Sequence, residues 1–260
     1  MAPWLDAFVP PFGLILLGAL LRARLLRDPA VWAGMERLVF FLLLPALLVS
    51  SIASADLQTL PVGAMAAVLC TGMLLAGAMG LGLARLLGHG FATATSVVQG
   101  VMRFNNLTAF AIAGAVLGPA GLAIGAVATG LMVPVAQLVL VLMFSLNPHG
   151  AAGRPTVRGV ARQLATNPLI LGCAIGFAVS LGGGLPAGIA PLVRALGSAS
   201  VALGLLTVGA ALTLGALRDR PLTQAATAAA KLTVVPAMVF GLCVLVGLPP
   251  LPTAVAVLFM

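Results

Sequence analysis

Arg103, Asn105 and Asn106 stand almost side by side in GVMRFNNLTAFAIAG, residues 100–114, with Thr108 just beyond. An arginine fork can hold a carboxylate through two parallel N–H bonds. Asparagine can donate to an anion or accept from backbone N–H groups. It also competes with helical hydrogen bonding and tolerates non-helical dihedrals. The segment predicts a helix broken at about 103–108, into pieces 92–102 and 108–117. The second piece would point its N-terminus, with free N–H groups and the positive dipole end, at the break. Such an end favours an anion. The four residues therefore form a candidate substrate-binding cluster for an anion. A plainer alternative is an interhelical clamp that only packs this helix.

Other chemistry is sparse. Asp6, Asp28, Glu36, Asp56 and Asp219 fall at span ends or in loops, as do His89 and His149. A mid-membrane proton relay would need such groups inside the spans. No acid/base pair, nucleophile triad or phosphate-cradling glycine loop is legible, so neither an enzyme nor an ATP-driven pump is expected. Cys70, Cys173 and Cys243 each sit alone within a span and lack metal-ligand spacing. They read as packing residues, and neither a metal nor a cofactor is expected. Lys231 lies near one end of its span, and its long stem can carry the ammonium to the interface. Arg194 reads the same way.

The elements that must position Arg103 are membrane spans. The 260-residue chain is 62% hydrophobic and 7% charged, against about half and a quarter in soluble domains. Its apolar blocks match the ~20 residues needed to cross a ~30 Å hydrocarbon core. Spans are predicted at about 7–22, 35–53, 60–84, 92–117, 120–144, 167–182, 189–217 and 222–247, with a ninth beginning near Leu251. The fold class is all-α, a polytopic helical membrane protein. At 1.5 Å per residue, Arg103 lies roughly 16 Å from one end of its span and roughly 21 Å from the other, too deep for easy snorkelling.

Ten of the thirteen Lys/Arg residues, among them Arg22, Arg85, Arg158 and Arg220, fall in alternate gaps between spans. Positive charge stays cytoplasmic, which puts the N-terminus outside. The net charge of +8 thus reads as topology, and no nucleic-acid partner is expected. The N-terminus lacks a basic run ahead of its first apolar block, so that block reads as an uncleaved first helix. The basic stretch 147–166 divides a five-span half, 1–146, from a shorter half, 167–260. An odd number of spans per half implies inverted repeats, a pattern of secondary transporters. PPFGLILLGALL and NPLILGCAIGF, each with proline at its start, give faint support. Completing the second half would take one to two more helices. Glycines four apart, such as Gly172 and Gly176, read as sites of close helix approach.

The chain resembles the auxin efflux carrier family, including its bacterial malate- and malonate-permease-like members. The likeness is carried by FFLLLPALLVSSIASADL, by GVMRFNNLTAFAIAGAVLGPAGLAIGAVATGLMVPVAQ, by NPLILGCAIGFAV, and by LGLLTVGAALTLGAL followed by KLTVVPAMV. It covers essentially the whole chain, and the arginine-x-asparagine segment is its most specific part. The resemblance implies ten helices in two inverted five-helix repeats, with the fourth and ninth broken and crossing at the substrate site. It places Asn105 at the fourth-helix crossover and adds Ser50, Ser51 and Gln137 as secondary polar contributors. It also implies a possible homodimer and a scaffold of helices one, two, six and seven. This chain departs from the family in three ways. LTAFAIAG lacks the family's proline after the crossover asparagine, Gln137 stands where asparagine is usual, and the second crossover and tenth helix are missing.

The expected function is secondary transport of a small organic anion, such as malate, malonate or an auxin-like acid, across the bacterial inner (plasma) membrane by alternating access. A passive anion channel and a non-transporting membrane fragment are the alternatives.

Overall fold

A computed structural model describes residues 3–54, 60–145, 156–212 and 220–260. In chain order, α1 is Pro3–Arg24 and α2 is Pro29–Ala53. Next come α3, Val62–Leu86, and α4, Phe91–Met102. The helical stretch Asn106–Ser145 has non-helical backbone at Gly118 (φ 64°, ψ −157°). Its two parts, 106–117 and 119–145, are α5 and α6. Then follow α7 (Val157–Ala165), α8 (Pro168–Leu181), α9 (Ala190–Ala211), α10 (Pro221–Val246) and α11 (Pro250–Phe259).

No strand occurs among the described residues. Among the described residues, five helical stretches are long and apolar enough to cross a membrane. Large apolar side chains face outward, including Leu86 (87% exposed) and Leu245 (83%). Water would penalise such a surface and hydrocarbon would not. The chain is an all-α, multi-pass membrane protein.

Several boundaries differ from the sequence reading for local reasons. α2 begins at Pro29, six residues before the predicted 35. Asp28 caps it, accepting from the Ala30 N–H at 2.8 Å, and Pro29 fills the first helical position. Both are standard start signals. Pro10 and Pro11 lie inside α1 and do not open it. The basic stretch between the halves contains α7, capped by Thr156, whose Oγ1 accepts from the Gly159 N–H at 3.1 Å.

Two helices carry a π turn where only helix was expected: Val39–Leu43 in α2 and Ala230–Val234 in α10. Each precedes a proline, Pro45 or Pro236. Proline lacks an N–H and its ring crowds the carbonyl four residues back. The backbone widens just ahead of it, the Leu44 N–H reaching the Val39 carbonyl and the Val235 N–H that of Ala230.

The chain divides into two compact units. The first comprises Met1–Leu60, Asn105–Gly130 and Pro168–Thr213. Here α1 packs along α9, α8 along α2, and α2 along α9. Glycines allow these contacts. A Cβ added at Gly18 would run into the Leu206 carbonyl, and one at Gly209 into that of Ile15. At Gly172 it would lie 3.0 Å from the Pro45 Cα, and at Gly176 2.9 Å from the Ile52 Cβ. The Gly172–Gly176 pair thus serves close packing, as its spacing suggested. In lipid, where helices gain nothing from leaving water, backbone proximity of this kind supplies much of the association.

The second unit comprises Pro61–Phe104, Leu131–Asn167 and Leu214–Met260. α3 packs along α4, α10 and α11, and α10 also meets α4. Gly80 permits the α3–α4 approach, since a Cβ there would sit 2.8 Å from the Val98 Cα.

Candidate functional site

The predicted break exists and is short. α4 ends at Met102, residues 103–105 are non-helical, and α5 begins at Asn106. Arg103 turns the chain out of the helix with extended backbone (φ −68°, ψ 141°), while its N–H still donates to the Gln99 carbonyl at 2.8 Å. No proline is needed. Asn105 starts the next helix itself: its Oδ1 accepts from the Thr108 N–H at 3.2 Å, and its carbonyl accepts from the Ala109 N–H at 3.0 Å. That is an asparagine N-cap. Capping uses Oδ1, so the amide Nδ2 group keeps its donor chemistry.

Asn106 does something different. It is half-buried, and its Oδ1 accepts from the Thr129 hydroxyl at 3.0 Å. The same hydroxyl lies 2.9 Å from the Gly125 carbonyl, so its one proton is shared between two acceptors. Thr129 is fully buried. This contact ties α5 to α6 and is the clamp that the sequence left open as an alternative. The polar cluster therefore divides: Asn105 caps, Asn106 clamps, and Arg103 is exposed. Sequence reasoning missed Thr129. A lone threonine in GAVATGLM was the signal.

The other candidates are dispersed. Ser50 is buried in α2, where its hydroxyl donates to the Leu47 carbonyl at 3.0 Å. Ser51 and Thr108 are half-buried. These three, with Asn105 and Asn106, belong to the first unit. Arg103 belongs to the second, as does half-buried Gln137 on α6. The described residues hold no cluster of three or more His, Cys, Asp or Glu able to bind a metal. His149, Asp56 and Asp219 lie outside the described residues, and no side-chain environment is described for Asp6.

What the break can do chemically follows from its parts. α5, within the first unit, presents the positive end of its dipole and the N–H groups of its first turn, one of them, that of Thr108, already taken by the Asn105 cap. Such a helix start is a donor-only surface.

No protein-family model matches the chain, and no curated protein is significantly similar to it.

Proposed function

We propose that this chain is a secondary carrier for a small organic anion, a carboxylate such as malate, malonate or an auxin-like acid, of the auxin efflux carrier type. It would act in a bacterial plasma membrane with its N-terminus outside. The observation that carries this reading is the interruption at 103–105. An apolar stretch running from Phe91 to Leu140 stops being helical where Arg103 and Asn105 stand, and a new helix starts on an asparagine cap. Irregular backbone at membrane depth is tolerated where it is buried in protein or lines a wet cavity, and transporters use such half-helices at their substrate sites.

The helix pairing of the first unit supports the inverted-repeat reading. If helices one and two correspond to six and seven, α1 pairs with α9 as α8 pairs with α2. Substrate would bind at Asn105 and Thr108 on α5, and Arg103 is the cation nearest to them along the chain. Asn106 would serve mainly to hold α5 in place.

The test is counterflow of radiolabelled malate, malonate and an indole acid in liposomes containing the 260-residue protein. Asn105→Asp is the informative variant. Aspartate caps a helix about as well as asparagine, so folding should persist, but its charge repels a carboxylate. Saturable exchange should fall at least tenfold in Asn105→Asp and in Arg103→Ala. Wild-type exchange in both would remove the break from the substrate path. Absence of saturable exchange of these acids by the wild-type protein would overturn the carrier reading for them.

A further inference from the structure

The second unit contains a groove of its own. A cavity of about 720 Å³ lies between α4 and α10, wholly within the second unit. Arg220 lines one end and Lys231 the other, and no lining residue among the described ones is acidic. Thr223, Thr227 and Lys231 recur every fourth residue on α10, a spacing that puts them on one helix face, over roughly 12 Å at 1.5 Å per residue. Across from them α4 contributes Thr93, Ser96 and Gly100.

Arg220 is held in place. Its backbone is left-handed (φ 50°, ψ 59°), the one non-glycine residue with positive φ among the described residues. That conformation costs an arginine on the order of 1–3 kcal/mol and points to a local requirement. The side chain is fixed by two contacts from Nη1, to the Thr93 hydroxyl at 3.1 Å and to His89 Nδ1 at 3.2 Å. A guanidinium only donates, so Nδ1 accepts, and the imidazole proton sits on Nε2. Nε2 in turn donates to the Thr223 hydroxyl at 2.7 Å. Nη1 is thereby used up, whereas Nε and Nη2 make no bond to the described residues and carry three N–H donors. Those are the edge that holds an oxyanion bidentately.

Further in, the Thr227 hydroxyl donates to the Thr223 carbonyl at 2.7 Å and the Ser96 hydroxyl to the Ala92 carbonyl at 3.3 Å. Either proton can rotate to a ligand at little cost, because helix carbonyls already accept from the backbone. The Lys231 ammonium donates to the Met260 carbonyl and has two more N–H groups.

We propose that the α4–α10 groove is a second anion site, taking an oxyanion of carboxylate or phosphate type on the Nε/Nη2 edge of Arg220, with Thr227 and Lys231 leading inward. The oxyanion can be a free solute or the phosphate of an anionic lipid, since basic pockets between membrane helices hold such headgroups. This site does not depend on the transport reading of the break.

Its test reads the groove directly. Ser96→Cys on a Cys70→Ala background gives a thiol inside the cavity. Its rate of maleimide labelling is measured in full-length protein in lipid nanodiscs. In phosphatidylcholine discs, malonate or inorganic phosphate should slow labelling several-fold if the ligand is a solute. In phosphatidylglycerol discs without added oxyanion, slowing would identify the lipid headgroup. Either protection should need roughly tenfold more ligand in Arg220→Ala and be partly retained in Arg220→Lys. Thr227→Val, a near-isosteric change, should weaken it several-fold and covers the case in which Arg220→Ala fails to fold. Asn105→Asp should leave it unchanged, which separates this site from the break. No protection by malonate, phosphate or phosphatidylglycerol would overturn the proposal. So would equal protection in the folded Arg220 and Thr227 variants.

Discussion

The α1–α9 contact in the first unit and the α4–α10 contact in the second solve the same problem in opposite ways. Along α1–α9, Gly18 and Gly209 let the two backbones touch. Between α4 and α10 a single glycine, Gly100, meets a side-chain methyl of Thr227, and the rest of the space stays open, with hydroxyls and two cations set among apolar Val97, Ala228 and Leu232. Close backbone packing leaves no room for adjustment, because interiors at that density respond to a single methylene. The open groove trades that rigidity for donors. The difference teaches that glycine content alone is ambiguous: the same residue type seals one interface and narrows a polar path in another.

Substitutions can break or sharpen this contrast. The largest effect is expected for Gly209→Val, which drives carbons into the Ile15 carbonyl. It should destabilise by about 3 kcal/mol or more and abolish monodisperse protein after mild heating. Gly241→Val, where an added Cβ meets nothing, should shift stability by no more than about 0.5 kcal/mol. Equal losses in both would show that Gly209 is not a backbone contact.

Next is Gly118→Ala. Its φ and ψ lie in a region that is essentially glycine's alone, so a cost of about 2 kcal/mol is expected, read as a lowered midpoint in detergent denaturation. Thr129→Val keeps the volume but leaves the Asn106 amide oxygen without its donor. About 1–2 kcal/mol should be lost, and an unchanged midpoint would mean that no clamp exists. Among the contact glycines, the smallest stability effect belongs to Gly100→Ala. Its added methyl displaces only the Thr227 methyl, so stability should change by less than about 1 kcal/mol. Anion protection of the groove should still weaken, and strong destabilisation without loss of protection would reverse the assignment of this interface.

The membrane class, the approximate spans and the break around Arg103 were all legible in the sequence. They rest on length, composition and local competition for backbone hydrogen bonds, which need no tertiary knowledge. The division of labour between Asn105 and Asn106 was not legible. It depends on Thr129, twenty-three residues away, arriving within hydrogen-bond distance of Asn106. The π turns were hidden because a proline inside a helical pattern announces a disturbance without saying which form it takes. Lys231 was read as an outward-reaching residue because its stem allows it. That it also lines the groove depends on where α4 lies, and no local pattern encodes that. Ser50 looked available as a polar group, yet in a helix a serine hydroxyl can turn back on its own backbone, and here it does.

The shortness of α4 bears on how the protein is made. Twelve residues give a helix of roughly 18 Å, far less than the ~30 Å a spanning segment must cover. The residues that complete the pass bring Arg103, which costs on the order of 3 kcal/mol near a bilayer centre during insertion, while each valine, leucine or phenylalanine returns only ~0.3–0.6 kcal/mol. Asn105 and Asn106 return nothing toward this. Residues 91–117 therefore partition marginally by themselves as they leave the ribosome. The strongly apolar neighbours α3 and α6 must enter the bilayer with them, so that this part of the chain is integrated as a group and not one helix at a time.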